Sequence, residues 1–201
     1  MHAMIDIQTF SGTAIVPYLD AVASLRIEVF RDWPYLYDGD AEYERGYLAA
    51  YARSPDSLFV LALDGSEVVG ASTGMPLADE APAFQHAFRQ HAIAVDRVFY
   101  FGESVLRQAW RGRGLGHRFF DEREAWARRL GRYAMTAFCA VERSAGDPRA
   151  SPGHRANDLF WSKRGYRRQD DMFCELDWRE VGEAQASTHR LRFWLRELDP
   201  R

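Results

Sequence analysis

The hydrophobic pattern of the chain changes period most sharply between Val98 and Leu130. From Val98 the run V-F-Y-F-G-E-S-V-L is dense in β-branched and aromatic residues, as strands are. From Leu115 the apolar positions Leu115, Phe119, Trp126 and Leu130 fall at helical spacing, with charges in the gaps. Gly112, Gly114 and Gly116 stand between the two patterns. The spacing predicts a strand, a glycine-rich turn and an amphipathic helix.

The remaining elements follow from the same reading. Met4 to Phe10 alternates loosely and suits a short first strand, broken by Ser11 to Thr13. Leu19, Val22, Ala23, Leu25 and Val29 predict a helix from Pro17 to Phe30, with proline near its start. Arg31 to Asp40 carries Pro, Gly and three large aromatics and reads as a loop. Asp40 is placed to cap a second helix in which Tyr43, Tyr47 and Tyr51 recur every four residues. Leu58 to Leu63 and Glu67 to Thr73 flank Asp64-Gly65-Ser66, a hairpin signal. Gly74 to Ala94 is mixed, with helical spacing over Ala83 to His91. A strand over Tyr133 to Val141, a polar loop over Ser144 to Gly153 and a short helix over Asn157 to Arg164 come next. Asp171 to Trp178 is a strand, and a polar linker follows it. His189 to Leu198 then alternates, with Leu191, Phe193 and Leu195 opposite Arg190, Arg192 and Arg196. No repeat or linker divides the chain. The reading is one domain over 1–201, closed by a strand pair over 171–198.

Composition narrows the class. At 201 residues, 47% hydrophobic and 27% charged, this is an ordinary globule with room for one sizeable core. A net charge of −3 supplies no basic field for nucleic acid. Arg111, Arg113, Arg118, Arg123, Arg128, Arg129 and Arg132 are interspersed with Asp121, Glu122 and Glu124, which predicts a solvated helix face. Cys139 and Cys174 lie in apolar strand-like runs and read as buried thiols. No apolar run reaches membrane-span length, and the N-terminus lacks the basic-then-apolar order of a secretory signal. The expectation is a cytoplasmic protein without a membrane partner. Monomer and homodimer stay equally open.

The glycines carry the chemistry. Without Cβ atoms they let backbone N–H groups face outward at a helix start, where the macrodipole favours negative charge. Arg111, Arg113, His117 and Arg118 surround this seat for a phosphate or diphosphate. A Walker loop is excluded because no Lys-Ser or Lys-Thr follows. A dinucleotide fingerprint is excluded because His117 stands where its third glycine belongs.

What remains, Arg111-x-x-Gly114-x-Gly116 between a strand and an amphipathic helix, resembles the acyl-CoA signature of the GNAT superfamily of N-acetyltransferases. Phe160 to Tyr166, F-W-S-K-R-G-Y, resembles a second run that this family places later in the chain. The resemblance implies an α/β (α+β) domain. Its mixed, mostly antiparallel sheet would be flanked by helices and splayed between the Val98 and Tyr133 strands. It implies that Ser104, Val105 and Leu106 contact the pantetheine and thioester of acetyl-CoA. It also implies that the backbone of Arg111, Gly112, Arg113, Gly114, Leu115, Gly116 and His117 holds the diphosphate. Asn157 sits where the family often bonds pantetheine, or is simply a helix cap. The implied function is transfer of acetyl from acetyl-CoA to a primary amine of a small molecule or peptide, by direct attack in a ternary complex. The alternative is a coenzyme A sensor without turnover.

Amide formation needs an oriented thioester, a base for the ammonium and a donor for the oxyanion. Strand alternation places Glu103 on the face of Phe99, Phe101 and Val105, making it the candidate base; the competing reading is a structural acid paired with an arginine. The family often uses a tyrosine as acid where this chain has Trp161, and Tyr166 reads as core. Trp33, Tyr35, Tyr37 and Asp38, with Asp40 beside them, form the candidate acceptor wall, suited to a cationic amine. Asp79 and Glu80 are secondary candidates. His117 and His154 have no partners at ligand spacing, so no catalytic metal is expected.

Overall fold

The computed structural model describes residues 5–151 and 156–198. Met4, Gly153 and His154 lie outside the described residues. Among the described residues seven strands form one sheet in the order β1-β2-β3-β4-β5-β7-β6, every pairing antiparallel except that of β4 with β5. The strands are β1 (Asp6–Phe10), β2 (Leu58–Asp64), β3 (Glu67–Pro76), β4 (Val98–Leu106), β5 (Met135–Val141), β6 (Arg167–Arg179) and β7 (Ala186–Glu197). The helices are α1 (Leu19–Phe30), α2 (Ala41–Arg53), α3 (Pro82–Gln90), α4 (Leu115–Leu130) and α5 (Asp158–Lys163). The mixed, mostly antiparallel architecture expected from the sequence is the one observed.

β2 is a nearly unbroken apolar run because both of its faces are covered. Phe59, Leu61 and Leu63 pack with α1 and α2, while Val60 and Ala62 pack with Leu115 and Phe119 of α4. Asp40 does cap α2, its Oδ1 accepting from the Tyr43 amide at 2.8 Å. Pro17 falls in a 3-10 turn over Gly12–Tyr18, so the first α-helix begins only at Leu19. The segment after Trp178 is no linker: β6 and β7 stay paired out to Arg179↔Ala186. Cys139 and Cys174 are both free thiols, Cys139 half-buried and Cys174 buried.

Two irregularities in β4 place the site. The first is the short pairing with β5, limited to Val98↔Met135, Phe99↔Thr136 and Tyr100↔Ala137. Beyond Tyr100 the two strands part, and this edge of β4 pairs with no strand among the described residues. The second is a bulge. Ser72 pairs with Ser104 and Gly74 with Phe101, so Thr73 alone faces both Gly102 and Glu103. Gly102 is required there, since a Cβ would collide with the Tyr51 hydroxyl and Thr73 Oγ1.

The bulge reverses the alternation. Phe99 and Phe101 pack toward α4 with Phe120, whereas Val105 lies with α1 and α2. Glu103 shares the α1–α2 face, bonded to Arg26. Its expected place beside Phe99 and Phe101 is therefore corrected. A simple two-residue period cannot cross an extra residue.

Candidate active site

At the mouth of α4, Gly112 and Gly114 have φ of +75° and +79°, a region that disfavours side chains. A Cβ on either would meet open space, so backbone conformation, not packing, calls for glycine. His117 and Arg118 N–H bond back to the Gly114 carbonyl at 3.0 and 3.3 Å. The amides from Gly112 to Gly116 have no acceptor among the described residues, and no side chain caps the helix. These donors meet the positive end of a 16-residue helix, a fit to a diphosphate.

The side chains around that seat are partly committed. Arg111 Nε donates to the Leu106 carbonyl at 3.0 Å, Arg113 lies over the Trp110 ring, and the Leu115 side chain is core. His117 turns its ring onto Phe160 at 4.8 Å and its Nδ1 to Arg164, away from the free amides. Asn157 occupies the N-cap position of α5, but its side chain makes no cap bond. The Val105 side chain is buried with α1 and α2, which leaves only its backbone to the gap; Ser104 is exposed.

Behind β4, on the α1–α2 face, lies a buried ionisable cluster. Arg26 of α1 bonds Glu44 of α2 and Glu103 of β4, the latter at 2.5 Å. Tyr47 OH lies 3.5 Å from Glu103 Oε2 and 3.1 Å from Tyr51 OH. The Glu80 carboxyl lies next to Tyr51, so the cluster extends from Glu103 to Glu80. Burial and then the nearby Glu103 charge push the Glu80 carboxyl up to about 8. Burial raises the Tyr47 and Tyr51 phenols as well. Glu44 Oε1 and Glu103 Oε1 are buried without a hydrogen-bond partner among the described residues.

The loop between α1 and α2 packs beside this cluster. Tyr35 rests against Phe30 and Trp178, and burial raises its phenol. Tyr37 forms a backbone bridge to Glu180, and burial, then the nearby Glu44, raises its phenol. Trp33 lies under the Arg143 guanidinium, 5.4 Å from it. Asp38 is answered by Arg179 at 2.7 Å and Arg31 at 3.4 Å, and Asp40 by its cap bond. Trp33, Tyr35, Tyr37 and Asp38 thus lie in one loop beside the cluster, with the Asp38 and Asp40 carboxylates already matched. The excess negative charge lies deeper, where Glu44 and Glu103 share the single cation Arg26. Trp161 packs on Phe138 and Trp194. Tyr166 is buried and bonded to Thr136 and Glu124, as a core residue.

As members of a site Arg26, Glu44, Tyr47 and Tyr51 escaped the sequence reading, which placed Tyr47 and Tyr51 only in the repeat of the second helix, although a signal was present. Arg26 falls in phase with Val22 on the buried face of α1, and Glu44 in phase with Leu48 and Tyr51 on that of α2. A charge at a core-phase position of an amphipathic helix is unstable unless partnered, so it points to a buried polar cluster. Arg123 and Glu124 break the expected solvated face of α4 in the same way; both are buried.

The model of the Acetyltransferase (GNAT) family matches residues 22–146, and the chain belongs to that family. Solved structures carry the likeness through the segments beyond that match. NAA60 of Arabidopsis thaliana, in complex with acetyl-CoA, is 12% identical with a TM-score of 0.61, covering 97% of this chain and 99% of that one. The ribosomal-protein-alanine N-acetyltransferase of Brucella melitensis is 16% identical with a TM-score of 0.60, covering 96% and 99%. YncA of Salmonella typhimurium, solved with its cofactor acetyl-CoA, is 12% identical with a TM-score of 0.57, covering 98% and 95%. At such identities the likeness is one of fold. Among curated proteins the sequence finds no match.

Proposed function

We propose that this GNAT protein moves an acetyl group from acetyl-CoA to a primary amine of a small molecule or peptide, by direct attack in a ternary complex. The observation that carries the reading is the row of acceptor-free amides from Gly112 to Gly116, opening α4 directly after the unpaired stretch of β4. Bound there, acetyl-CoA supplies the activated acyl group. The free amides hold its diphosphate, and the unpaired edge of β4 from Phe101 to Leu106 orients its arm. Support also comes from the acetyl-CoA held by two of the structural relatives.

Deprotonation falls to the Glu103–Glu80 pair. Glu103 remains in the proposal, but held ionically by Arg26 it acts mainly as the fixed charge that attracts an ammonium. Glu80, with its carboxyl raised to about 8, is the member that exchanges a proton near neutrality. The amine nitrogen bonds the acetyl carbon as the carbon–sulfur bond breaks. The ammonium first gives one proton to water; as the amine then attacks, its second proton passes to Glu80, which returns it through water to the departing sulfur. Trp33, Tyr35 and Tyr37 line the approach to the cluster.

Trp161, packed as an aromatic wall and without an ionisable group, favours one second reading, a coenzyme A sensor. Thiol release from acetyl-CoA across a panel of primary amines separates the two. Amine-dependent release is the expected result. Coenzyme A binding with no release for any amine would leave the sensor.

A further inference from the structure

Arg123 of α4 is 1% exposed and lies between the rings of Phe101 and Phe120, at 4.2 and 4.8 Å. It forms no salt bridge with a carboxylate among the described residues. A buried cation without a counter-ion is disfavoured by lost hydration, and burial draws this one down to about 10, still charged at neutral pH. Its hydrogen bonds all go to neutral oxygens. Nε donates to the Phe119 carbonyl at 3.1 Å, and Nη1 to the Thr73 and Glu103 carbonyls at 3.2 and 3.1 Å. Nη2 donates to Ser104 Oγ at 2.8 Å. Two of these four acceptors, on Glu103 and Ser104, lie on β4 in the bulge and just after it, and a third, on Thr73, lies opposite the bulge on β3.

The hydroxyl of Ser104 is the exposed end of this arrangement. Its oxygen already accepts from the guanidinium, so its own hydrogen must point elsewhere, and it has no acceptor among the described residues. Ser104 stands on β4 beyond Tyr100, where β5 has departed. A hydroxyl that accepts from a cation is a stronger donor toward its next partner. We propose that Arg123 is a positioning residue that locks the bulge and aims the Ser104 hydroxyl into the gap. There the hydroxyl donates a hydrogen bond to the carbonyl oxygen of the acetyl thioester. This rests on the reading of the glycine mouth as a coenzyme A site, and adds to it a contact made only when the acetyl group is present.

Calorimetry with coenzyme A and acetyl-CoA tests it, on the wild type, Ser104→Ala, Arg123→Met and the double variant. Ser104→Ala and Arg123→Met should each lose about fivefold to tenfold in affinity for acetyl-CoA, the worth of one such bond, with coenzyme A held within about twofold. The double variant should be no weaker than either single one, because the guanidinium acts through the hydroxyl. Ser104→Thr should restore the preference. Ser104→Ala changes an exposed side chain and keeps the test decisive even where Arg123→Met fails to fold. Equal losses for both ligands, additive losses, or an unchanged preference in Ser104→Ala would overturn the inference alone. A folded wild type that binds neither ligand would instead overturn the glycine-mouth reading, and this inference with it.

Discussion

The Arg26 guanidinium on α1 and the Glu103 carboxylate on β4 form a buried ion pair, Nη1 to Oε2 at 2.5 Å. Arg26 also holds Glu44, whose side chain is fully buried. One cation thus stabilises two carboxylates that have no water to fall back on. Replacing Arg26 by leucine leaves both uncompensated, and about 3–5 kcal/mol of stability should be lost. Urea unfolding monitored by tryptophan fluorescence measures it; a loss below about 1 kcal/mol would mean the pair does not hold α1 to the sheet.

Glu80 links pH to both stability and rate. Its carboxyl keeps a proton up to about 8 in the folded protein, against an ordinary value of 4.5. Between these values the folded state binds the extra proton, so this group's contribution to stability is fullest at the acid end and falls as pH rises through about 8. Melting temperatures should decline across that window in the wild type, and Glu80→Gln should flatten the decline. A variant whose slope matches the wild type would remove Glu80 as its source.

The same titration should govern turnover. As proton acceptor, Glu80 must be ionised, so kcat/KM should rise with pH to a plateau with a midpoint near 8. Glu80→Gln should lower kcat/KM at least about tenfold and abolish that limb. Glu103→Gln should weaken KM for a cationic amine more than kcat. If Glu103→Gln rather than Glu80→Gln erased the limb, the roles within the pair would be exchanged.

Gly114 separates backbone strain from ligand exclusion. Its φ of +79° makes any Cβ unfavourable by about 1 kcal/mol, yet the space around it is open. Gly114→Ala should keep measurable affinity for coenzyme A. Gly114→Glu should lose at least about a hundredfold by putting a carboxylate where the diphosphate sits. Calorimetry on folded variants gives the comparison, and equal affinities would argue against the seat.

Tyr166 gives a contrast. Its hydroxyl is buried between Thr136 and Glu124 at 2.9 and 3.2 Å. Tyr166→Phe should cost about 1–2 kcal/mol of stability while leaving kcat unaltered. A fall in kcat without a fall in stability would make it the acid for the departing thiol.

The sequence by itself determined the order of elements, the glycine mouth and the core role of Tyr166. Each of these is written in residues close together along the chain: apolar period, glycine spacing, a turn after Lys163. Only the tertiary structure decided what Glu103 faces, because the bulge arises from Thr73 on a neighbouring strand meeting two residues instead of one. It also decided the partners of Arg26, Glu44, Glu80 and Arg123. A charged residue in a helix repeat looks solvated until the opposing surface is known. The energy that keeps it buried comes from acceptors tens of residues away, which no local pattern records.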